Sequence, residues 1–178
     1  DSVIVGNNDQ HMEYLSRWLK PVTRSSSSKW KKCWRASVDG PTVLIVRVDR
    51  KYIFGGYTSL SWGDDARYLA DPKAFLFSLV NKPGWAPVKL PQRKDPSVTG
   101  GAVVHVLTNG PTFGYGYDLY VDGYRHELGY KDSYTKPGKT YTPPNGHSYG
   151  STFAKTFLHG GSDMFFIPDE VEMFYETT

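Results

Sequence analysis

The apolar positions change period along the chain. Between Gln10 and Lys20 they fall at Met12, Leu15, Trp18 and Leu19, the spacing of one helix face. Asn7, Asn8 and Asp9 offer an N-cap, Lys20 suits the C-terminal dipole, and Pro21 stops the helix. One amphipathic helix packed on a sheet is predicted, with Trp18 in its buried stripe. Past the serine tether Ser25–Ser28 the helical period disappears. Val43 to Val48 is a near-continuous apolar run, as in a central strand. Asp49-Arg50 then makes a tight connection, and Lys51 to Tyr57 returns as the partner of a hairpin. Phe75–Val80 is a further strand, and shorter ones are expected at Val88–Leu90 and Ala102–Leu107. The stretches Tyr149–Leu158 and Met164–Ile167 are also read as strands. Val171, Met173 and Tyr175 alternate with Glu170, Glu172 and Glu176, which predicts a half-buried strand with an acidic face.

Glycines and rings refine this mainly β reading. Gly55-Gly56 inside a strand implies a bulge or a close backbone approach. A phosphate-cradling loop is the alternative, but the Gly-Lys-Ser/Thr ending and the following helix are missing. In Phe113-Gly114-Tyr115-Gly116-Tyr117 the alternating glycines let the backbone sit beneath another strand or a ligand. Tyr124 to Tyr149 has no periodicity and is expected to be a long ordered loop over one edge, carrying Tyr130, Tyr134, Tyr141, His126 and His147. Exposed rings on loops can stack on sugar faces or meet a protein partner, so Trp62, Tyr115, Tyr117 and Tyr134 are the candidate ligand-binding residues. The competing reading has such tyrosines pinning the loops down.

The length of 178 residues suits one domain. Residues 1–28 read as helix and tether, and residues 29–178 as the body. With 13 Tyr and 5 Trp the chain has rings enough for a β core and for a surface. A net charge of +3 without a long basic run slightly favours anionic partners but identifies neither nucleic acid nor membrane, and nucleic acid is not the expected partner. The cations of Lys29–Arg35 interleave with Trp30 and Trp34, as for gripping phosphates and stacking bases, but a strand or turn with partly buried tryptophans and solvated lysines is the preferred reading. Cys33 is the single cysteine, so no internal disulfide forms, and no apolar run is long enough to cross a bilayer. The start at Asp1 is compatible with a removed leader, which favours a secreted setting over a cytoplasmic one.

Candidate chemistry is sparse. Asp64, Asp65 and Asp71 match no calcium-loop spacing and read as solvated loop carboxylates. Glu170 and Glu172 project from one side of a strand. Solubility and edge protection account for them better than acid–base work. A hydrolase, acting for example on nucleic acid, would need His105, His126, His147 or His159 to meet a carboxylate in a cleft. No catalytic residue, metal ligand or cofactor is expected.

The ordered set of motifs resembles the TLDc domain family. It comprises Gly40-Pro41-Thr42 with its apolar strand, Ile53-Phe54-Gly55-Gly56-Tyr57, Trp62 and Ala74–Leu79. Pro111-Thr112-Phe113-Gly114-Tyr115-Gly116-Tyr117-Asp118-Leu119, Ser151-Thr152-Phe153 and Asp169–Phe174 complete it. The Tyr- and Gly-rich style is similar to secreted-type TLDc proteins of marine invertebrates such as corals, sea anemones and sponges. One departure is visible: Asp39-Gly40 runs directly into Pro41-Thr42, where the family carries a further short helix. The resemblance implies a two-sheet antiparallel β sandwich with an N-terminal helix and short flanking helices. It also implies a binding module without a catalytic centre. Intracellular members are associated with oxidative-stress protection and with the vacuolar proton pump. A stress- or defence-related interaction module with a protein or carbohydrate partner is therefore the leading expectation, and a lectin or cytotoxin using its Tyr and Trp loops is the alternative.

Overall fold

A computed structural model of the chain describes residues 2–6, 8–33, 40–63, 65–94, 101–105, 110–122 and 132–177. Trp34, Asp64, His126 and Tyr130 lie outside these residues. The fold is two stacked antiparallel sheets of six strands each. The first sheet runs in the order β1 (Lys29–Cys33), β12 (Glu170–Thr177), β2 (Thr42–Val48), β3 (Tyr52–Thr58), β5 (Phe75–Val80), β6 (Val88–Pro91). The second runs β11 (Phe165–Phe166), β10 (Ser133–Thr135), β9 (Leu119–Tyr120), β8 (Thr112–Phe113), β7 (Val103–Val104), β4 (Tyr68–Leu69).

Side chains of the first sheet are buried on both faces, which explains the unbroken apolar run in β2. Leu44, Val46 and Val48 point between the sheets and meet Phe54, Leu76, Leu90, Phe113, Leu119 and Phe166. Val43 and Ile45 point the other way, into a second cluster with Phe77, Phe174 and the helix residues Leu15 and Leu19. That helix, α1 (Asp9–Leu19), is the predicted amphipathic element, and Asn8 caps it by accepting the His11 N–H. In the β2–β3 connection Asp49 and Arg50 both take left-handed φ, and the Lys51 N–H donates to the Val48 carbonyl at 3.1 Å.

The glycine pair in β3 is both a bulge and a close approach. The register shifts between Ile53 and Phe54. A Cβ on Gly56 would lie 2.7 Å from the Phe113 ring of the opposite sheet. A Cβ on Gly55 would meet the Leu44 carbonyl of β2. Phe113 therefore rests on bare backbone.

Four readings of the sequence need correction. Asp71 is not a solvated carboxylate: it is buried and accepts from Thr58 Oγ1, Ser59 Oγ and the Ser59 and Lys73 N–H groups. Tyr149–Leu158 is not a strand: it contains a short helix, α2 (Thr152–Thr156), capped by Ser151. Phe153 and Phe157 are four apart and stack at 4.9 Å, a helical spacing. The expected loop over Tyr124–Tyr149 holds β10, paired between β9 and β11. β10 escaped notice because its inward residues are hydroxyls: Ser133 accepts from the Asp122 N–H and Thr135 donates to the Lys155 carbonyl. Finally, β12 lies inside its sheet, not at an edge. Its glutamates carry structural ion pairs instead of a solvated acidic face: Glu170 with Arg47, and Glu172 with Lys32, each near 2.8 Å or closer.

Two buried carboxylates fasten the ends of the fold. Glu172 accepts from Lys32 Nζ, Ser2 Oγ and the Val3 and Ile4 N–H groups, so it ties the N-terminal segment to β12. Asp118 accepts the Thr140 and Tyr141 N–H groups at 2.7 and 2.6 Å, and Lys139 N–H at 3.3 Å. Burial would raise the Glu172 pKa, but Lys32, Ser2 and the two N–H groups outweigh it and hold the carboxyl below its ordinary value. For Asp118, burial prevails over the three N–H donors and lifts the carboxyl to about 6.

Gly56→Ala should lower stability by about 1–3 kcal/mol through overpacking against Phe113, read as a fall in the urea midpoint. Adding Phe113→Leu should return part of the loss, and strict additivity would contradict the contact. The carboxylates should give opposite pH slopes. Ionised Glu172 contributes stability above its ordinary value of 4.5 and loses it as pH falls. Asp118, with a raised folded pKa, opposes folding increasingly as pH rises from its ordinary 3.8 through about 6. Urea midpoints at pH 4 and pH 7 should therefore show Asp118→Asn improving relative to wild type as pH rises. Glu172→Gln should worsen over the same interval, and matching slopes would contradict both assignments.

Candidate functional site

The outer face of the second sheet carries a band of rings. The strand register sets Tyr120 of β9 opposite Tyr134 of β10, and Tyr134 opposite Phe165 of β11. Their ring centroids are 5.4 and 5.9 Å apart. Tyr117, in the β8–β9 turn, lies 6.4 Å from Tyr120 and 6.5 Å from Tyr134. It also lies near enough to Tyr68 of β4 to help raise that hydroxyl's pKa, after burial, and the Tyr68 ring is 4.9 Å from that of Tyr115. The band thus crosses the sheet from one edge strand to the other. Leu119, Phe113 and Phe166 on the opposite side of the same strands fill the core. Tyr68 and Tyr115 are 46% and 49% exposed, so this edge of the band faces solvent. Burial and the neighbouring tyrosines push the Tyr134 hydroxyl up to about 12, so it remains a neutral donor near neutral pH.

The turn that presents Tyr115 and Tyr117 follows from its residues. Gly114 has a φ of 88° and Tyr117 one of 56°. A Cβ at Gly116 would lie 2.6 Å from Cδ of Lys139, so the missing side chain lets the lysine stem lie flat there. Lys139 Nζ then sits 4.7 Å from the Tyr115 ring centre. Lys136 Nζ sits 5.4 Å from Tyr134 and 5.8 Å from Tyr149. Asp118 positions both lysines, since its carbonyl accepts the Lys136 N–H and its carboxyl group holds residues 139–141. Beside this lies a cavity of about 590 Å³ lined by Arg93, Lys94, Gly138, His147 and Tyr149 among others.

Tyr115, Tyr117 and Tyr134 are thus brought together, and Trp62 is not among them. Its Nε1 donates to Thr42 Oγ1 at 2.7 Å, and its ring meets the edge of Phe113 at 5.5 Å. Tyr68, Tyr120, Phe165, Lys136 and Lys139 were not singled out by sequence. Their grouping depends on cross-strand register, which the two- and three-residue strands of this sheet do not reveal. The Lys-Pro-Gly-Lys stretch from Lys136 was the available signal.

Of the four candidate histidines, the three that are described lie in separate settings. His105 Nδ1 is 2.7 Å from Asp65 Oδ1, but the ring is buried and its Nε2 has no partner among the described residues. That pair fixes the loop beside Trp62. His105 and then Arg67 hold the Asp65 carboxyl below its ordinary value. His147 stacks on Phe153 at 3.7 Å, and His159 bonds to the Lys155 carbonyl behind α2. Cys33 is half-buried, its Sγ 3.5 Å from the Met173 carbonyl. Among the described residues no cluster of three His, Cys, Asp or Glu could hold a metal ion, and no helix is long and apolar enough to cross a membrane. Another cavity, of about 700 Å³, lies between α1 and the first sheet, with Leu15, Leu19, Ile45 and Phe174 in its walls.

The model of the TLDc domain family matches residues 7–175. Among curated proteins the chain is similar to the MTOR-associated protein MEAK7 of Danio rerio, 48% identical over 40 residues, and to that of Mus musculus, 30% identical over 81 residues. These alignments take in 22% and 44% of this chain, and only 9% and 18% of the two relatives. With the family match running from α1 to β12, and two stacked six-stranded sheets in the structure, the chain belongs to the TLDc domain family.

Proposed function

We propose that this chain is a non-enzymatic interaction module that docks a protein partner on the outer face of its second sheet. The observation that carries the reading is the continuous band from Tyr68 and Tyr115 through Tyr117 and Tyr134 to Phe165. Rings that are rigid, half-exposed and equipped with hydroxyls supply contact area at low entropic cost, which is why Tyr is enriched at binding surfaces. Kinship supports a protein as the partner class, since the relatives' name describes them as MTOR-associated. A stress- or defence-related setting, and the secreted invertebrate kinship, are finer forms of this proposal. They rest on the style of the sequence.

A lectin is the second reading, and the same tyrosines favour it. The two are separable. A photo-crosslinking phenylalanine analogue at position 115 should yield protein adducts in an extract of the source tissue. The same analogue at Met12, on the exposed side of α1, should yield few. With the adduct partner purified, Tyr115→Ala should weaken binding by about 2 kcal/mol, roughly 30-fold. Equal labelling from both positions would count against the face. Glycan-array binding that Tyr134→Ala abolishes would replace the protein reading with the lectin one.

A further inference from the structure

We infer that the segment docked on this face is an acidic, extended peptide whose carboxylates settle over Lys136 and Lys139 while its apolar groups cross the tyrosines. The inference rests on the protein-docking reading and specifies its partner.

The charges make the argument. Four cations elsewhere in the fold pair with carboxylates: Arg17 with Glu13, Lys32 with Glu172, Arg47 with Glu170, and Arg67 with Asp65. Lys51 and Lys89 each lie over a single ring, Tyr52 and Phe75. Lys136 and Lys139 lie over three rings of one surface, Tyr134, Tyr149 and Tyr115, and no ion pair joins either to a carboxylate among the described residues. A cation–π contact leaves an ammonium with open hydrogen-bonding positions, ready for an incoming carboxylate. The positive region continues past Tyr149 into the cavity beside it, where Arg93 and Lys94 stand and no carboxylate of the described residues contributes to the wall. Acidic groups also reach the band from beneath: the Tyr120 hydroxyl donates to Asp122 at 3.1 Å, and the Asp118 carboxyl feels the Lys136 charge. Asp118 and Asp122 are buried, Asp132 flanks Tyr120, and Asp163 bonds to the Phe165 N–H. The face therefore has a positive end at residues 136–149 and a more acidic end toward β11, which gives a bound segment a direction.

The shape favours a peptide over other anions. Successive bases need parallel ring faces to stack on. Here the Tyr134 ring is tilted by 33° to Tyr117, 52° to Tyr120 and 73° to Phe165. The ammonium groups already cover one face of Tyr115 and of Tyr134, the surface a sugar ring would take. What is left is a corrugated floor of ring edges and hydroxyls, suited to alternating side chains and backbone carbonyls.

A random dodecapeptide library displayed on phage, panned on the intact chain, tests this. Recovered peptides should be enriched in Asp and Glu. Their synthetic forms should bind roughly tenfold more weakly to Lys136→Gln/Lys139→Gln and should weaken as salt rises. Lys136→Arg/Lys139→Arg should retain binding, and unchanged urea midpoints would show that the variants fold. Peptides that are neutral or basic, or indifferent to the lysines yet weakened by Tyr115→Ala, would overturn the acidic assignment and leave the docking face standing. Peptides indifferent to both lysine and tyrosine changes would overturn the face itself. Labelled oligothymidylate or a heparin oligosaccharide binding more tightly than any recovered peptide, and losing affinity in the lysine variants, would overturn the peptide in favour of that anion.

Discussion

The contact between Phe113 and the backbone of Gly56 fixes how closely the two sheets meet. Sheets normally pack about 10 Å apart with side chains interleaved from both sides. Here one side contributes nothing at the contact, so a whole ring fits into the space of two side chains. Trp62 and Tyr141 then close around Phe113, at 5.5 and 6.4 Å. The strands on either side of Phe113 are only two residues long, and their outer face inherits its position from this inner anchor. The aromatic band is the outward side of a layer held in place from within.

Burial on both faces of the first sheet has a different source. Helix α1 covers the side away from the second sheet, and the carboxylates trapped there are engaged by the chain that leads into and out of the helix, although Glu176 Oε2 has no hydrogen-bond partner among the described residues. Glu172 receives residues 2–4, and Glu176 receives the Arg24 N–H at 2.6 Å. Buried carboxylates of this kind are most stable when several donors converge on them. They look like acid–base residues in a sequence and are fasteners in the fold.

What could be read from the sequence followed the length of the elements. The β2–β3 hairpin, β5, β12 and α1 each carry enough residues for a period to show, and each was legible. Gly55-Gly56 was legible too, because a glycine pair inside a strand has few physical explanations. The second sheet was harder. Ser133 and Thr135 face inward with satisfied hydroxyls, so β10 lacked the apolar alternation that reveals a strand. At α2, Phe153, Phe157 and Leu158 give no more than one helical turn of signal, and the same residues pass for a strand. Tyr115, Tyr117 and Tyr134 could be chosen as exposed rings. Their union with Tyr68 and Phe165, and the two lysines over them, required the register.

The position of β12 has a consequence for how the fold is assembled. It lies between β1 and β2, pairing with Lys29–Cys33 on one side and with Thr42–Tyr57's hairpin on the other. During synthesis the hairpin can form early, but β1 has no neighbour until residues 170–177 emerge. Closing such a long loop is slow, and until then two strand edges and the apolar underside of α1 stand open to other chains. A ribosome that stops before Glu170 would therefore release a species prone to self-association.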